Sequence, residues 1–141
     1  MDIKKLVNSL VKKYNTRNPF EIAKNLNLIL VLCQLSGGTR GFYQYFQRNN
    51  IIYINEDLPE DEQCFVLAHE LGHLFLHKKI NTILLDNSNL KTHKYEVEAN
   101  TFAAELLIPD ALIYENPGMT KGQLARLAGY DERIMDYKKI G

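Results

Sequence analysis

His69-Glu70-Leu71-Gly72-His73 is the stretch around which the rest of the chain is read. Residues four apart on a helix are offset by about 40°, so both imidazoles share one face and reach one metal ion. Glu70 lies between them, where a carboxylate can take a proton from water held by that metal. This is the arrangement a zinc-dependent hydrolase requires.

The setting of the motif strengthens the reading. Pro59 followed by Glu60, Asp61 and Glu62 marks a helix start, with acidic residues at the positive end of the dipole. Phe65, Val66, Leu67, Ala68, Leu71, Leu74, Phe75 and Leu76 then cover nearly every face, which predicts a helix buried on most sides. Polar groups in such a helix need partners, and one metal ion would partner the histidines.

Catalytic zinc takes three protein ligands plus an open position. The downstream candidates are His77, His93, Glu96, Glu98 and Glu105. Glu96 is the best placed, at the start of a helix read over residues 95–107, and Glu98 or His93 stands in reserve. Glu98 is about 200° round the helix from Glu96, so the two cannot face one metal together. Asn100 shares the face of Glu96 one turn on, where it can hold the second ring nitrogen of a ligating histidine. His77 suits the helix C-terminus or a place behind the ligands. His93 is read as solvated, in a polar connector over residues 81–94.

Upstream, Ile3, Leu6, Val7, Leu10 and Val11 recur at helical spacing. Asn18-Pro19 opens a second helix. Residues 28–32 read as a buried strand and Ser36-Gly37-Gly38 as a turn. Residues 42–46 form an aromatic strand, and a turn at Arg48-Asn49-Asn50 leads to a strand over 51–54, the last two strands pairing as a hairpin. After Pro109 come a short helix over 110–114, a break at Asn116-Pro117-Gly118, and helices over 120–128 and 131–139. This last pair resembles a helix-turn-helix only loosely, and a packing or substrate-docking element is the better reading.

The chain has 141 residues, 45% hydrophobic and 24% charged, as one globular domain requires. Its 17 basic and 17 acidic residues cancel, which argues against direct nucleic-acid binding. No apolar run is long enough for a membrane span, and the charged amphipathic start is unlike a secretory signal. Cys33 and Cys64 lack a paired spacing and read as buried thiols of a reducing cytoplasm. Composition sets no oligomeric state.

The helix motif is followed by Glu96-x-Glu98-Ala99-Asn100-x-Phe102-Ala103-Ala104-Glu105-Leu106-Leu107-Ile108-Pro109. Together they resemble the ImmA/IrrE family of metallopeptidases, compact relatives of the gluzincins, closely over residues 51–109 and loosely in the flanks. The resemblance implies an α+β zincin-like domain over residues 1–116, with a small three-stranded mixed or antiparallel sheet packed on helices, and a short helical extension over 117–141. It implies one catalytic zinc ion on His69, His73 and Glu96, with Glu70 as the base. A histidine at the position of His77 is also common in the family pattern. The implied activity is site-specific cleavage of a helix-turn-helix repressor of a phage or mobile element, which derepresses its genes. Manganese or iron suits the same donors. Tyr43, Tyr45, Tyr53 and Tyr95 are candidates for supporting the oxyanion. The competing reading is a non-catalytic regulator that keeps the fold and binds protein or DNA; an aminopeptidase acting on short peptides is a weaker third.

Overall fold

The computed structural model describes residues 2–77 and 89–140. Helix α1 (Ile3–Tyr14) starts where the Asp2 side chain accepts from the Lys5 amide and stops at Asn15, which adopts a left-handed conformation at φ 55°. Helix α2 (Pro19–Asn25) has Asn18 as its cap, the Asn18 side chain accepting from the Phe20 amide, with Pro19 in the first turn.

Strands β1 (Ile29–Cys33), β2 (Gly41–Phe46) and β3 (Asn49–Asn55) form a mixed sheet in the order β1-β3-β2, with β1 parallel and β2 antiparallel to the central strand. The hairpin turn is Gln47-Arg48, at φ 50° and 66°, and not Arg48-Asn49-Asn50. Asparagine tolerates positive φ, which favours a turn reading of Asn49-Asn50. The register instead pairs Phe46 with Asn49 and Tyr45 with Asn50, so both asparagines extend the strand.

Helix α3 (Glu60–His77) carries the histidine motif, and α4 (Asn89–Leu107) packs along it. Residues 81–88 of the expected connector lie outside the described residues. From Asn89 the chain is already helical, so Glu96 stands inside α4 rather than at its start, and His93 is an exposed helical residue. No glycine or proline interrupts residues 89–107; the first turns lack an apolar stripe, so hydrophobic spacing cannot mark them.

Beyond α4 lie α5 (Asp110–Tyr114) and α6 (Lys121–Ala128), the latter closed by a reciprocal pair of bonds between Thr120 and Gln123. The expected final helix over 131–139 is only a 3-10 turn over Glu132–Asp136. Ile134 and Met135 there are buried, so packing stabilises the short piece.

The main core joins Val7, Ile22, Ile52, Ile54, Leu67, Leu71, Phe102 and Leu106, all at most 1% exposed. A smaller core joins Ala104 and Ile108 to Leu124, Ala125, Ile134 and Met135. Helix α4 is the wall shared by both. Gly72 sets how close α3 and α4 come: a Cβ there would meet Phe102 Cβ at 3.0 Å and Ala99 Cα at 3.1 Å. Only a residue without a side chain permits that approach, and it brings the motif face of α3 against the Glu96 face of α4. Among the described residues no helix is long and apolar enough to cross a membrane.

Candidate metal centre

His69 and His73 project from α3 with their Nε2 atoms 3.1 Å apart. The Glu96 carboxylate reaches across from α4, 3.0 Å from His69 Nε2 and 2.9 Å from His73 Nε2. One donor atom from each of the three lies within 4.8 Å of the others, a spacing that can hold a metal ion.

The hydrogen bonds behind these atoms set the tautomers. Glu98 accepts, so His77 donates from Nε2 to Glu98 Oε1 at 3.3 Å. His77 Nδ1 is then bare and accepts from His73 Nδ1 at 3.0 Å. That leaves His73 Nε2 without a proton. On the other side His69 donates from Nδ1 to Asn100 Oδ1 at 2.7 Å, which bares its Nε2 as well. Two nitrogen lone pairs and a carboxylate therefore converge on one point. Among the described residues no lysine or arginine pairs with Glu96. Lone pairs brought together in this way repel unless a cation lies between them. Two nitrogens and one carboxylate are a donor set suited to zinc, so the residues fit a metal of that kind.

The electrostatics agree. The two imidazoles hold the Glu96 carboxyl well below the usual carboxylate range. For His69 burial pulls the pKa down, and Glu96, Glu70 and Asn100 together carry it above its ordinary value. Burial, partly offset by Glu98, holds His77 below its ordinary value, which favours the neutral ring that the relay needs. Glu70 is 9% exposed, and burial pushes its carboxyl above the usual range. A carboxylate raised in that direction is a better proton acceptor at neutral pH.

The site opens on one side. A cavity of about 380 Å³ is bounded by Arg40, Gly41, Phe65, Val66, His69, Glu70, Glu96 and Asn100. The Glu96 side chain remains 49% exposed, against 15% for His69 and 21% for His73.

The other candidates lie elsewhere. Glu98 holds His77, and Glu105 faces a separate buried cluster with Lys138. None of the four tyrosines lines the metal-side cavity. Tyr43 bonds Asn50, Tyr53 donates to Gln44 Oε1, Tyr45 is 62% exposed, and the Tyr95 ring packs 4.4 Å from that of His77. Arg40 lines the cavity in their place. It lies between a turn and a strand, where no periodicity singles it out.

Comparison with known proteins agrees with this arrangement. The family model Peptidase_M78, described as the IrrE N-terminal-like domain, matches residues 23–137, which include all of α3 and α4. Over 141 residues the chain is 41% identical to "uncharacterized immunity region protein 2" of Bacillus phage phi105, covering 98% of this chain and 89% of that one. Over 143 residues it is 36% identical to "metallopeptidase ImmA" of Bacillus subtilis strain 168, covering 96% of this chain and 83% of that one. The two-helix signature thus extends into similarity along nearly the whole chain, which belongs to the ImmA/IrrE metallopeptidase family.

Proposed function

We propose that this chain is a zinc-dependent endopeptidase of the cytoplasm that makes a site-specific cut in a helix-turn-helix repressor of a phage or mobile element, and so derepresses that element's genes. The observation that carries the reading is the convergence of His69 Nε2, His73 Nε2 and the Glu96 carboxylate beside the buried Glu70.

His69, His73 and Glu96 are assigned as the residues that hold zinc. Bound there, zinc supplies Lewis acidity toward water and the scissile carbonyl. Glu70 takes the proton of the attacking water and returns it to the leaving amine; its raised pKa suits both halves of that task. Asn100 fixes the ring of His69, and His77, itself held by Glu98, fixes the ring of His73. The open side of the site leaves room for an extended polypeptide. The repressor assignment is supported by the family and by the name of the phage relative, which refers to an immunity region.

The test is co-expression with the repressor encoded beside the gene. Wild-type protein is expected to cut it, and Glu70→Gln to lose about 100- to 10,000-fold in rate while keeping its zinc. Intact repressor beside the wild-type protein under inducing conditions contradicts the proposal. Equal derepression by both proteins would point to a non-catalytic regulator.

A further inference from the structure

A second cavity, of about 230 Å³, adjoins the metal-side cavity and shares Arg40, Phe65 and Asn100 with it. The two are compartments of one groove. The far wall comes from the C-terminal segment, through Tyr130, Ile134 and Tyr137. With Phe65 these give an apolar and aromatic lining. Burial, Cys64 and the nearby Asp61 carboxylate push the Tyr130 hydroxyl up to about 12, so it stands there uncharged.

Five charged residues border this compartment, three acidic and two basic. The guanidiniums are each engaged: Arg40 lies 3.6 Å from Glu62, and Arg133 lies 3.0 Å from Asp131. Asp61 has no ion-pair partner among the described residues, and it is half-buried on the first turn of α3. The compartment therefore combines an apolar lining with one carboxylate that has the α3 helix dipole but no ion-pair partner among the described residues. An extended chain crossing the metal site would place a neighbouring side chain in it.

We infer that this compartment receives a lysine or arginine side chain flanking the scissile bond, its methylene stem against Phe65, Tyr130 and Ile134 and its cationic end at Asp61. This rests on the peptidase reading, to which it adds a sequence preference. A cation on an apolar stem satisfies both features of the lining, whereas a purely apolar side chain leaves Asp61 without a counter-charge.

Binding and cleavage test it separately. The zinc-loaded full chain carrying Glu70→Gln is titrated with N-acetyl-lysine amide and with N-acetyl-norleucine amide, and backbone amide resonances are followed by NMR. Lysine is expected to shift Phe65, Tyr130, Ile134 and Tyr137 saturably and to bind about fivefold tighter than norleucine. Asp61→Asn is expected to abolish that difference. Equal binding of the two amides, shifts confined to other residues, or a preference that survives Asp61→Asn overturns the inference. In the parallel digestion of the repressor by wild-type protein, a cut without a flanking lysine or arginine also overturns it. Lysine binding at these residues with no cleavage at all counts against the peptidase reading and upholds the pocket.

Discussion

Helix α4 sends a glutamate into each of two charged clusters, and the clusters are completed in opposite ways. Glu96 and Glu105 are nine residues apart, which places them on opposite faces and about 13 Å apart along the axis. Glu105 Oε1 is 2.6 Å from Lys138 Nζ, both side chains at most 2% exposed. Lys138 also lies 2.5 Å from Asp110 Oδ1, and Lys4 lies 2.9 Å from the same atom. The Lys139 amide donates to Glu105 Oε2 at 3.0 Å, and Lys4 donates to the Lys139 carbonyl at 2.7 Å. Two lysines thus meet two carboxylates and the charge closes within the protein. Around Glu96 the neighbours are two imidazoles, each turned to present a lone pair by a partner behind it. The first cluster ties the C-terminal segment to α1 and α4. The second has donors in excess and, under the proposed function, takes its cation from solution. Similar residue types on one helix thus close a charge cluster where the protein supplies the cation and, in the proposed function, hold a catalytic ion where it does not.

The largest effect is expected at the closed cluster. Lys138→Met leaves the buried Glu105 facing only the more distant Lys4, at 3.7 Å, and should cost about 3 kcal/mol in chemical denaturation. The double variant Lys138→Met/Glu105→Leu leaves Lys4 and Asp110 to pair with each other and should recover most of that loss. A loss under about 1 kcal/mol in the single variant would show that Lys4 or water compensates Glu105 without Lys138. The pH dependence has a defined sign. Burial tends to raise the Asp110 carboxyl, but Lys138 and Lys4 outweigh it and hold the group below its ordinary value. Its contribution is present above about pH 4 and fades as the pH falls through the depressed value. Lys138→Met should flatten that part of the acid unfolding curve.

A smaller effect is expected where α3 and α4 touch. Gly72→Ala must displace the Phe102 and Ala99 contacts, at about 1–3 kcal/mol. The shift moves Glu96 relative to the imidazoles, so zinc affinity should fall along with stability. Unchanged zinc affinity in that variant would separate the helix spacing from the metal centre. The smallest effect belongs to Asn100→Ala, which frees the His69 ring but leaves all three donors. Zinc affinity should drop about 10- to 100-fold with little change in the fold, as read by calorimetry.

The half of this comparison that follows a helical repeat was legible in the sequence. His69, His73 and His77 fall on one stripe of α3, and Glu96 with Asn100 on one stripe of α4, so spacing, together with the family resemblance, singled out the residues that the structure brings together. Glu98 was weighed as a ligand, and its contact with His77 depends on how two helices meet, which spacing within one helix does not reveal. His93 and Lys94 in the early part of α4 are exposed, and no hydrophobic pattern in the sequence there distinguishes helix from loop. Lys138 and Glu105 are 33 residues apart, and in the sequence Glu105 reads only as a candidate metal ligand, with nothing to join it to Lys138. Arg40, Tyr130 and Tyr137 reach the groove from a loop and from the C-terminal segment. Their meeting is a product of tertiary packing, as is the role of Gly72, whose need for closeness appears only once α4 lies against it.

The most direct test of the account is zinc binding to the metal-free chain, titrated calorimetrically and checked by elemental analysis after dialysis. One zinc per wild-type chain is predicted, with affinity falling at least about 100-fold in His73→Ala and in Glu96→Ala, and holding in Lys138→Met under conditions where that variant is folded. No zinc in the wild type, or undiminished binding in both donor variants, would contradict it.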